Sequence, residues 1–237
     1  MKLIAHRGAS GYAPENTLAA FRLARIMGME SFEFDVHMTR DGVLVVHHDY
    51  DLTRTAGIKK SIRSLDYREL SRINVTGGGA GGFTFQRVPR LDEVLDDIEG
   101  CSGLVNFELK NDGNAYPGIE EKVLAEALAV KSRTGPALFS SFDFPTLKRM
   151  RMLDRKARLG LLVRHSRISA AVKKALKIGA WSMHLHRRFV SARRVESVHR
   201  AGMKVFVYTV NDRTLALLMR KIGVDGIFTN YPDIMKG

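Results

Sequence analysis

Short apolar runs typical of buried strands alternate with longer segments of helical periodicity along this chain of 237 residues. Strands connected through helices pair in parallel, because each helix returns the chain across one face of the sheet. The sequence predicts eight strands, at residues 2–5, 31–36, 104–109, 137–141, 158–163, 181–185, 204–208 and 226–228. It predicts seven helices between them, at residues 16–27, 91–98, 118–132, 144–153, 168–178, 192–201 and 213–222.

Glycines and polar caps support these boundaries. Four glycines follow predicted helices, where a left-handed residue commonly ends the helix: Gly28, Gly179, Gly202 and Gly223. Ser191 and Asp212 precede two further helices at the N-cap position. The length is close to the ~250 residues typical of a β/α barrel, and no change of composition divides the chain. We therefore predict an α/β fold, a single (β/α)8 TIM barrel over residues 1–237, with a doubly wound open sheet as the alternative.

One connection is much longer than the others. More than fifty residues separate the second predicted strand from the next long helix, whereas ~2–6 residues are usual there. This insertion, at about 38–90, contains a predicted hairpin with its turn at Asp41-Gly42 and its return strand at 43–46, then a short helix near 65–73. The glycine-rich run 77–82 lacks the Lys-Ser/Thr ending of a phosphate-binding loop, so we interpret it as a connector. Because the insertion begins at the carboxyl end of a barrel strand, where active sites lie, we expect it to be functional.

The net charge of +13 is unevenly distributed. Residues 148–204 contain 17 lysines and arginines but only two acids, Asp154 and Glu196. A basic surface of this kind attracts anionic substrates, anionic membranes or nucleic acid, and it also arises when solvated outer helix faces are basic. Charge alone does not choose among these alternatives, and we favour the solvated helix faces.

The cysteine content and the lengths of the apolar runs indicate the cellular compartment. Cys101 is the single cysteine, which excludes an intramolecular disulfide and is compatible with a reducing compartment. No apolar run is long enough for a signal peptide or for a bilayer span. We therefore expect a cytoplasmic protein with no integral membrane segment.

Acidic residues occur on predicted barrel strands, where Val, Ile and Leu would be usual. Side chains alternate faces along a strand, so Glu33 and Asp35 share one face, while Glu108 shares a face with Asn106 and Lys110. With the apolar faces packed outward against helices, these acids point into the barrel. Three inward carboxylates repel each other unless a cation lies among them, and hard oxygen ligands suit Mg²⁺, Ca²⁺ or Mn²⁺. The alternative is an ion-pair cluster in which Lys110 and Arg7 neutralise the acids without catalysis.

Histidines and an arginine follow other strands. His6 and Arg7 come directly after the first predicted strand, and His47 and His48 end the return strand of the hairpin. Histidine is suited to proton transfer near neutral pH, and the arginine fork matches phosphate oxygens. Placed beside carboxylates and a cation, these groups have a common target in a metal-bound phosphate that gains charge as it reacts.

An ordered set of motifs closely resembles the glycerophosphodiester phosphodiesterase family. The motifs are His6-Arg7-Gly8, Glu15-Asn16-Thr17, Glu33-Phe34-Asp35, Asp41-Gly42, Val45-Val46-His47-His48-Asp49, Glu108-Leu109-Lys110, Ser140-Ser141-Phe142, Thr209-Val210-Asn211 and Asp225-Gly226-Ile227-Phe228-Thr229-Asn230-Tyr231-Pro232. Each triplet alone is weak, but the ordered set spans essentially the whole chain and is highly specific.

The resemblance implies a role for seven residues. They are Glu33, Asp35 and Glu108 as ligands of a divalent metal (Mg²⁺, Ca²⁺ or Mn²⁺), His6 and His48 as general acid and base, and Arg7 and Lys110 as phosphate ligands. Two departures are present. Tyr208 stands where the family often has Trp, and His37 and His47 are additional histidines beside motif positions. His48 is chosen over His47 because Asp49 follows it.

We therefore predict metal-dependent hydrolysis of small-molecule glycerophosphodiesters to glycerol 3-phosphate and an alcohol. One alternative is a lysophospholipase D that acts at a membrane surface. An alternative from another class is a nucleic-acid-binding protein, but no nucleic-acid motif is present, and inward acids would repel a phosphate backbone. We expect no nucleic-acid partner. The sequence leaves open the preferred alcohol, the metal, the assignment of acid and base, the attacking group (water or a glycerol hydroxyl) and the oligomeric state.

Overall fold

The computed structural model describes residues 1–77, 82–111 and 116–235. Its strands are β1 (Lys2–His6), β2 (Phe32–Met38), β3 (Leu44–Val46), β4 (Asp51–Leu52), β5 (Ile58–Ser61), β6 (Val105–Leu109), β7 (Ala137–Ser141), β8 (Leu159–Val163), β9 (Ser182–His186), β10 (Lys204–Tyr208) and β11 (Gly226–Thr229). Its α-helices are α1 (Leu18–Ile26), α2 (Thr53–Ala56), α3 (Tyr67–Leu70), α4 (Leu91–Asp97), α5 (Ile119–Ala129), α6 (Phe144–Leu153), α7 (Ile168–Lys177), α8 (Ala192–Arg200) and α9 (Arg213–Lys221).

Eight of these strands form a closed parallel barrel. Their order is β1-β11-β10-β9-β8-β7-β6-β2, and β2 pairs in turn with β1 through Ala5 opposite Phe32 and His6 opposite Glu33. The predicted barrel is therefore confirmed, and the open-sheet alternative is wrong. Closure brings the carboxyl ends of all eight strands to one mouth.

Two apolar layers enclose the strands. Outside the barrel, Phe34 on β2 packs edge-on against Phe21 of α1 and Phe107 of β6, with ring centroids 6.0 and 4.9 Å apart. Burying one such side chain contributes about 1.5–3 kcal/mol relative to leaving it exposed. Inside the barrel, a smaller buried cluster contains Ile4, Leu104, Leu138, Phe206 and Phe228. The polar side chains described below share the interior with this apolar cluster.

The segment 39–90 contains a predicted hairpin that is confirmed. β3 pairs antiparallel with β2, with Val46 opposite Val36, and β4, α2, β5 and α3 follow. The segment has a buried apolar cluster of its own, formed by Val45, Leu52, Ile62, Leu65, Leu70, Val75 and Val88. The predicted helix near 65–73 is shorter, a single turn at Tyr67–Leu70. Residues 78–81 of the glycine-rich run lie outside the described residues.

Several helix boundaries differ from the predictions by a few residues. α1 begins at Leu18 rather than at Asn16, because Asn16 has a left-handed backbone (φ 57°) and Thr17 is the N-cap that accepts from the backbone N–H of Ala20. Asp212 caps α9 through the N–H of Leu215, whereas Ser191 occupies the N-cap of α8 without a side-chain hydrogen bond. The four glycines predicted to end helices all have positive φ.

Many lysines and arginines of 148–204 lie on outer faces of α6, α7 and α8. In α8, Arg193 and Arg200 are exposed while Val195 and Val198 are buried against the barrel. In α7, Lys173 and Lys177 are likewise exposed. Within the described residues, no helix has the length and apolar character needed to cross a bilayer.

Candidate active site

A cavity of about 480 Å³ opens at the mouth of the barrel, within the range of ~300–1,000 Å³ found for ligand sites. The predicted site residues that line it are His6, Arg7, Glu33, His48, Glu108 and Lys110. Asp35 is fully buried directly behind them. The structure therefore brings all seven predicted site residues together.

The three carboxylates meet at the β2–β6 seam. Asp35 pairs in register with Glu108, Glu33 is two residues earlier on the same face of β2, and one oxygen of each lies within 4.8 Å of the others. Burial raises the pKa of Glu33 well above its usual value, and the neighbouring charges of Asp35 and Glu108 raise it further. Oε1 of Glu33 is buried and accepts no hydrogen bond from any described residue. This acidic triad of Glu33, Asp35 and Glu108 is therefore held together at an electrostatic cost.

Two cations, the partly buried Arg7 and the buried Lys110, compensate part of that charge. Arg7 Nε lies 3.2 Å from Asp35 Oδ2, and Lys110 Nζ lies 2.9 Å from Glu108 Oε1 and 3.4 Å from Asp35 Oδ1. Burial alone would raise the pKa of Asp35, but these two cations outweigh it and hold that pKa well below its usual range. Burial likewise opposes the charge of Lys110, but Glu108 and Asp35 raise its pKa above the usual value.

The charge balance bears on whether the triad is an ion-pair cluster or a cation site. When all three carboxylates are ionised, the triad has three negative charges against the two positive charges of Arg7 and Lys110. Among the described residues, Glu33 is the carboxylate of the triad without a lysine or arginine side chain in ion-pair contact. A divalent cation would leave one positive charge, which the single negative charge of a phosphodiester neutralises. The donor set, three clustered carboxylates with an unsatisfied oxygen on Glu33, fits a hard divalent cation.

His6 is the last residue of β1, and its ring lies between Glu33 of the triad and Asn230, which follows β11. Its Nδ1 is 2.7 Å from Asn230 Oδ1, and its Nε2 is 4.0 Å from Glu33 Oε2. Burial and then the charge of Arg7 lower the pKa of His6 to about 3, so the ring is neutral at physiological pH. With Nδ1–H donated to Asn230, Nε2 holds the free lone pair, and it can accept a proton.

His48 comes from the segment that follows β3. Its Nδ1 donates to Asp49 Oδ1 at 2.6 Å, and Arg54 Nε donates to the other oxygen of Asp49 at 2.7 Å. Nε2 of His48 is therefore the nitrogen left to serve a ligand. The other two histidines of this region do not line the cavity: His47 is buried with Nε2 3.5 Å from Thr55 Oγ1, and His37 bonds the Tyr116 hydroxyl at 2.8 Å.

Asn16 is a site residue to which sequence reasoning assigned no role. Its Nδ2 donates to Asp35 Oδ2 at 2.9 Å, and Arg7 in turn pairs with Glu15 at 3.0 Å. Arg7 and Asn16 both have left-handed backbones, with φ of 59° and 57°. The motif Glu15-Asn16-Thr17 was a signal for this contact, but a positive φ at a non-glycine residue could not be deduced from it.

The side of the cavity formed by the carboxyl ends of β7 to β10 was almost entirely missed in the sequence-based prediction of the site. We call Phe142, Arg164, His186 and Tyr208 the aromatic wall. The Tyr208 ring lies 6.0 Å from Phe142 and 5.5 Å from His186 in edge-on packing, and Arg164 Cζ lies 4.5 Å from the centroid of the Phe142 ring. Their place in the sequence could have indicated this wall, because His186 and Tyr208 end barrel strands and Arg164 directly follows one, and the carboxyl ends of barrel strands form the active-site face.

Comparisons with known proteins extend over nearly the full length of the chain. A model described as the glycerophosphoryl diester phosphodiesterase family matches residues 6–234. The chain is 33% identical to a glycerophosphodiester phosphodiesterase from Caldanaerobacter subterraneus subsp. tengcongensis, over 98% of this chain and 95% of that protein. It is similar to an Oleispira antarctica phosphodiesterase solved in complex with the product sn-glycerol-3-phosphate, with a TM-score of 0.84, 32% identity and coverage of 98% and 94%. It is also similar to the glycerophosphodiester phosphodiesterase of Thermotoga maritima, with a TM-score of 0.77, 28% identity and coverage of 98% and 96%.

Proposed function

The chain belongs to the glycerophosphoryl diester phosphodiesterase family of phosphoric diester hydrolases, and from that premise we propose that it hydrolyses small glycerophosphodiesters to glycerol 3-phosphate and an alcohol in a metal-dependent reaction. One observation supports the metal dependence most strongly. A buried triad of carboxylates with an unsatisfied oxygen lies beside two cations, the partly buried Arg7 and the buried Lys110, at the mouth of the barrel.

In this proposal, Glu33, Asp35 and Glu108 hold a divalent cation, and Mg²⁺, Ca²⁺ and Mn²⁺ are the ions that prefer such oxygen ligands. A cation bound there supplies positive charge to phosphate oxygens as negative charge develops on them. Arg7 and Lys110 hold the same phosphate from the protein side, with the Arg7 fork as a bidentate donor and the Lys110 ammonium as a point charge. Burial strengthens both contacts, because little water competes with them.

The two histidines divide the proton transfers. His6 is neutral, with Nδ1–H donated to Asn230 and Nε2 free, so it acts as the general base that deprotonates the nucleophile. His48 is held at Nδ1 by the Asp49 carboxylate, which leaves Nε2 for the substrate, and we assign it as the general acid that protonates the departing alkoxide. Asp49 and Asn230 act through the histidines and are positioning residues.

The chain would act as one domain, in which the segment at about 38–90 is an insertion into the barrel. It supplies His48, and through Arg54 it joins Asp49 to Glu15, the acid that pairs with Arg7. The segment therefore contributes the general acid and positions an arginine of the phosphate site, so it takes part in catalysis.

An assay of three compounds with and without divalent metal tests the proposal. Glycerophosphocholine should release glycerol 3-phosphate only with metal, while lysophosphatidylcholine should react slowly and a short DNA should be neither bound nor cleaved. Faster turnover of lysophosphatidylcholine would favour the lysophospholipase D alternative. Tight binding of the DNA without any hydrolysis would favour the nucleic-acid-binding alternative.

A further inference from the structure

The aromatic wall faces the cavity but takes no part in the reaction proposed above. We propose that the aromatic wall binds the alcohol half of the diester and selects alcohols that carry a negative charge over alcohols that carry an ammonium group. The inference rests on the proposed function, because it assigns a substrate class to the same cavity.

The floor of the cavity is buried and the aromatic wall is partly exposed, and this difference indicates where each half of the substrate binds. The floor of the cavity contains two fully buried polar atoms without a hydrogen-bond partner among the described residues, Asn106 Oδ1 and His184 Nδ1. Buried polar atoms normally have a hydrogen-bond partner, and the glycerol moiety, common to all these substrates, has hydroxyl groups that donate and accept hydrogen bonds. Arg164, in contrast, is exposed, and Tyr208 and His186 are partly exposed. The variable alcohol therefore fits the open side, where groups of different size can extend toward solvent.

The aromatic rings alone do not determine which charge is bound. Aromatic faces can bind an ammonium group through cation–π attraction, as in sites that recognise choline. Here the guanidinium of Arg164 already lies over the Phe142 ring, at 4.5 Å from its centroid. An ammonium group placed at this ring would therefore meet a like charge at short range.

Charge differs between the two sides of the cavity. Among the described residues that line it, the carboxylates are Glu33, Glu108, Asp49 and Asp51, and all belong to β2, β6 or the segment 39–90. The side with the aromatic wall contributes Arg164, and Arg187 and Arg188 follow His186 directly in the chain. After burial, the charges of Arg188 and Arg187 lower the pKa of His186. The field on this side is therefore positive.

Arg164 and Tyr208 line the same cavity as Glu108 and Lys110. Burial and Glu108 raise the pKa of the Tyr208 hydroxyl, while Arg164 and Lys110 oppose that rise. The Tyr208 hydroxyl thus experiences both the phosphate-binding lysine and the arginine of the aromatic wall. An anionic group on the alcohol, such as a second phosphate or a carboxylate, would lie between the Arg164 guanidinium and the phosphate held at Lys110.

Three substrates test the ranking in the metal-loaded enzyme. They are glycerophosphoinositol 4-phosphate, glycerophosphoinositol and glycerophosphocholine, in which the alcohol is anionic, neutral and cationic. We expect kcat/KM to fall in that order, and added salt should reduce the preference for the anionic alcohol because it screens exposed charges. In Arg164→Gln the ratio of the anionic to the neutral inositol substrate should fall about fivefold, the upper limit for one exposed ion pair.

Two variants control the experiment. Arg164→Lys keeps the charge and should keep the ratio above that of Arg164→Gln, and Arg167→Gln, which removes an exposed arginine of the same loop that does not line the cavity, should leave the ratio unchanged. A wild-type preference for glycerophosphocholine would overturn the inference. An Arg164→Gln enzyme that unfolds at the same temperature as the wild type and has an unchanged ratio of kcat/KM for the two inositol substrates would also overturn it. Hydrolysis of all three substrates without a charge ranking would overturn this inference alone, whereas hydrolysis of none would overturn the proposed function itself.

Discussion

The two sides of the cavity are built on different physical principles. On the side of β1, β2 and β6, each predicted catalytic group is held by at least one charged or hydrogen-bonded partner, as Asp35 is by Arg7, Lys110 and Asn16. On the side of β8, β9 and β10, rings pack edge-on and Arg164 lies over a ring. A network of buried charges tolerates little change, because removal of one partner leaves the other uncompensated. A wall of rings can change its shape or charge at smaller cost, which suits the recognition of a variable group.

The largest effect should follow from breaking the charged side at the triad. Glu108→Gln removes one carboxylate from the cation site, and we expect kcat/KM to fall by roughly 10²–10⁴-fold, because the charge stabilisation lost is worth several kcal/mol. Steady-state release of glycerol 3-phosphate measures the effect. Glu121→Gln, on an exposed position of α5, is the matched control and should be neutral. A Glu108→Gln enzyme of nearly normal activity would contradict the division between the two sides.

The triad also predicts an effect on stability. In the metal-free protein, the pKa of Glu33 is raised, so its ionisation destabilises the folded state increasingly as the pH rises from the usual glutamate pKa through the raised one. Glu33→Gln should therefore be inactive yet more stable than the wild type at neutral pH without metal, because the substitution removes a buried carboxylate that burial and its acidic neighbours disfavour in the ionised form. Chemical denaturation in chelator measures this difference, which should shrink below pH 4. A clear loss of stability at neutral pH would show that Glu33 is compensated in a way that its contacts do not indicate.

The histidines should give the next largest losses. His6→Ala and His48→Ala should each lower kcat by ~10²–10⁴-fold, the usual worth of general acid–base catalysis. A p-nitrophenyl ester of glycerol 3-phosphate needs little protonation of its leaving group, so it should restore much of the rate of His48→Ala but not that of His6→Ala. His37→Ala and His47→Ala are the comparison variants and should affect kcat much less. A severe loss at His47 with little loss at His48 would mean that the motif is one residue out of register.

A smaller effect should follow from removing the ion pairs of Arg54, which connect the segment 39–90 to the barrel. Arg54 bonds Asp49, the partner of His48, and Glu15, the partner of Arg7. Arg54→Gln should lower kcat by about 10-fold with little change in KM, as is typical for residues that orient catalytic groups. Arg54→Lys should recover part of the loss, and the exposed Arg63 provides a control as Arg63→Gln. An increase in KM alone would instead indicate a direct contact of Arg54 with the substrate.

The smallest effect should come from the outer helix faces. Reversing Lys173, Lys174 and Lys177 to Glu should leave kcat intact and at most slow substrate capture at low salt, because screening acts within ~8 Å at physiological ionic strength. Co-sedimentation with anionic vesicles and retardation of DNA should be weak for the wild type. Tight vesicle binding that the triple variant loses would contradict this expectation and favour a lipid-surface enzyme.

The features that repeat along the chain were predictable from sequence. The alternation of strands and helices predicts the closed barrel, and the period of two along β2 and β6 predicts that Glu33, Asp35 and Glu108 share its interior. Contacts that depend on a single backbone conformation were not predictable, such as the bond from Asn16 to Asp35, which requires a left-handed residue before α1. Arg164 and Tyr208 were also missed as one surface, because their proximity results from the closure of β8 to β10 and not from any pattern in the chain.

The most direct test of this account is the rate of glycerophosphodiester hydrolysis by the same enzyme sample before metal removal, in excess EDTA, and after readdition of Mg²⁺, Ca²⁺ or Mn²⁺. We expect loss of activity in the chelator and recovery with at least one of the three ions, because the triad needs a cation to offset its uncompensated charge. Recovery should be absent in Glu33→Gln. Full turnover in excess chelator would contradict the central claim, because the acidic triad would then be an ion-pair cluster completed by Arg7 and Lys110 alone.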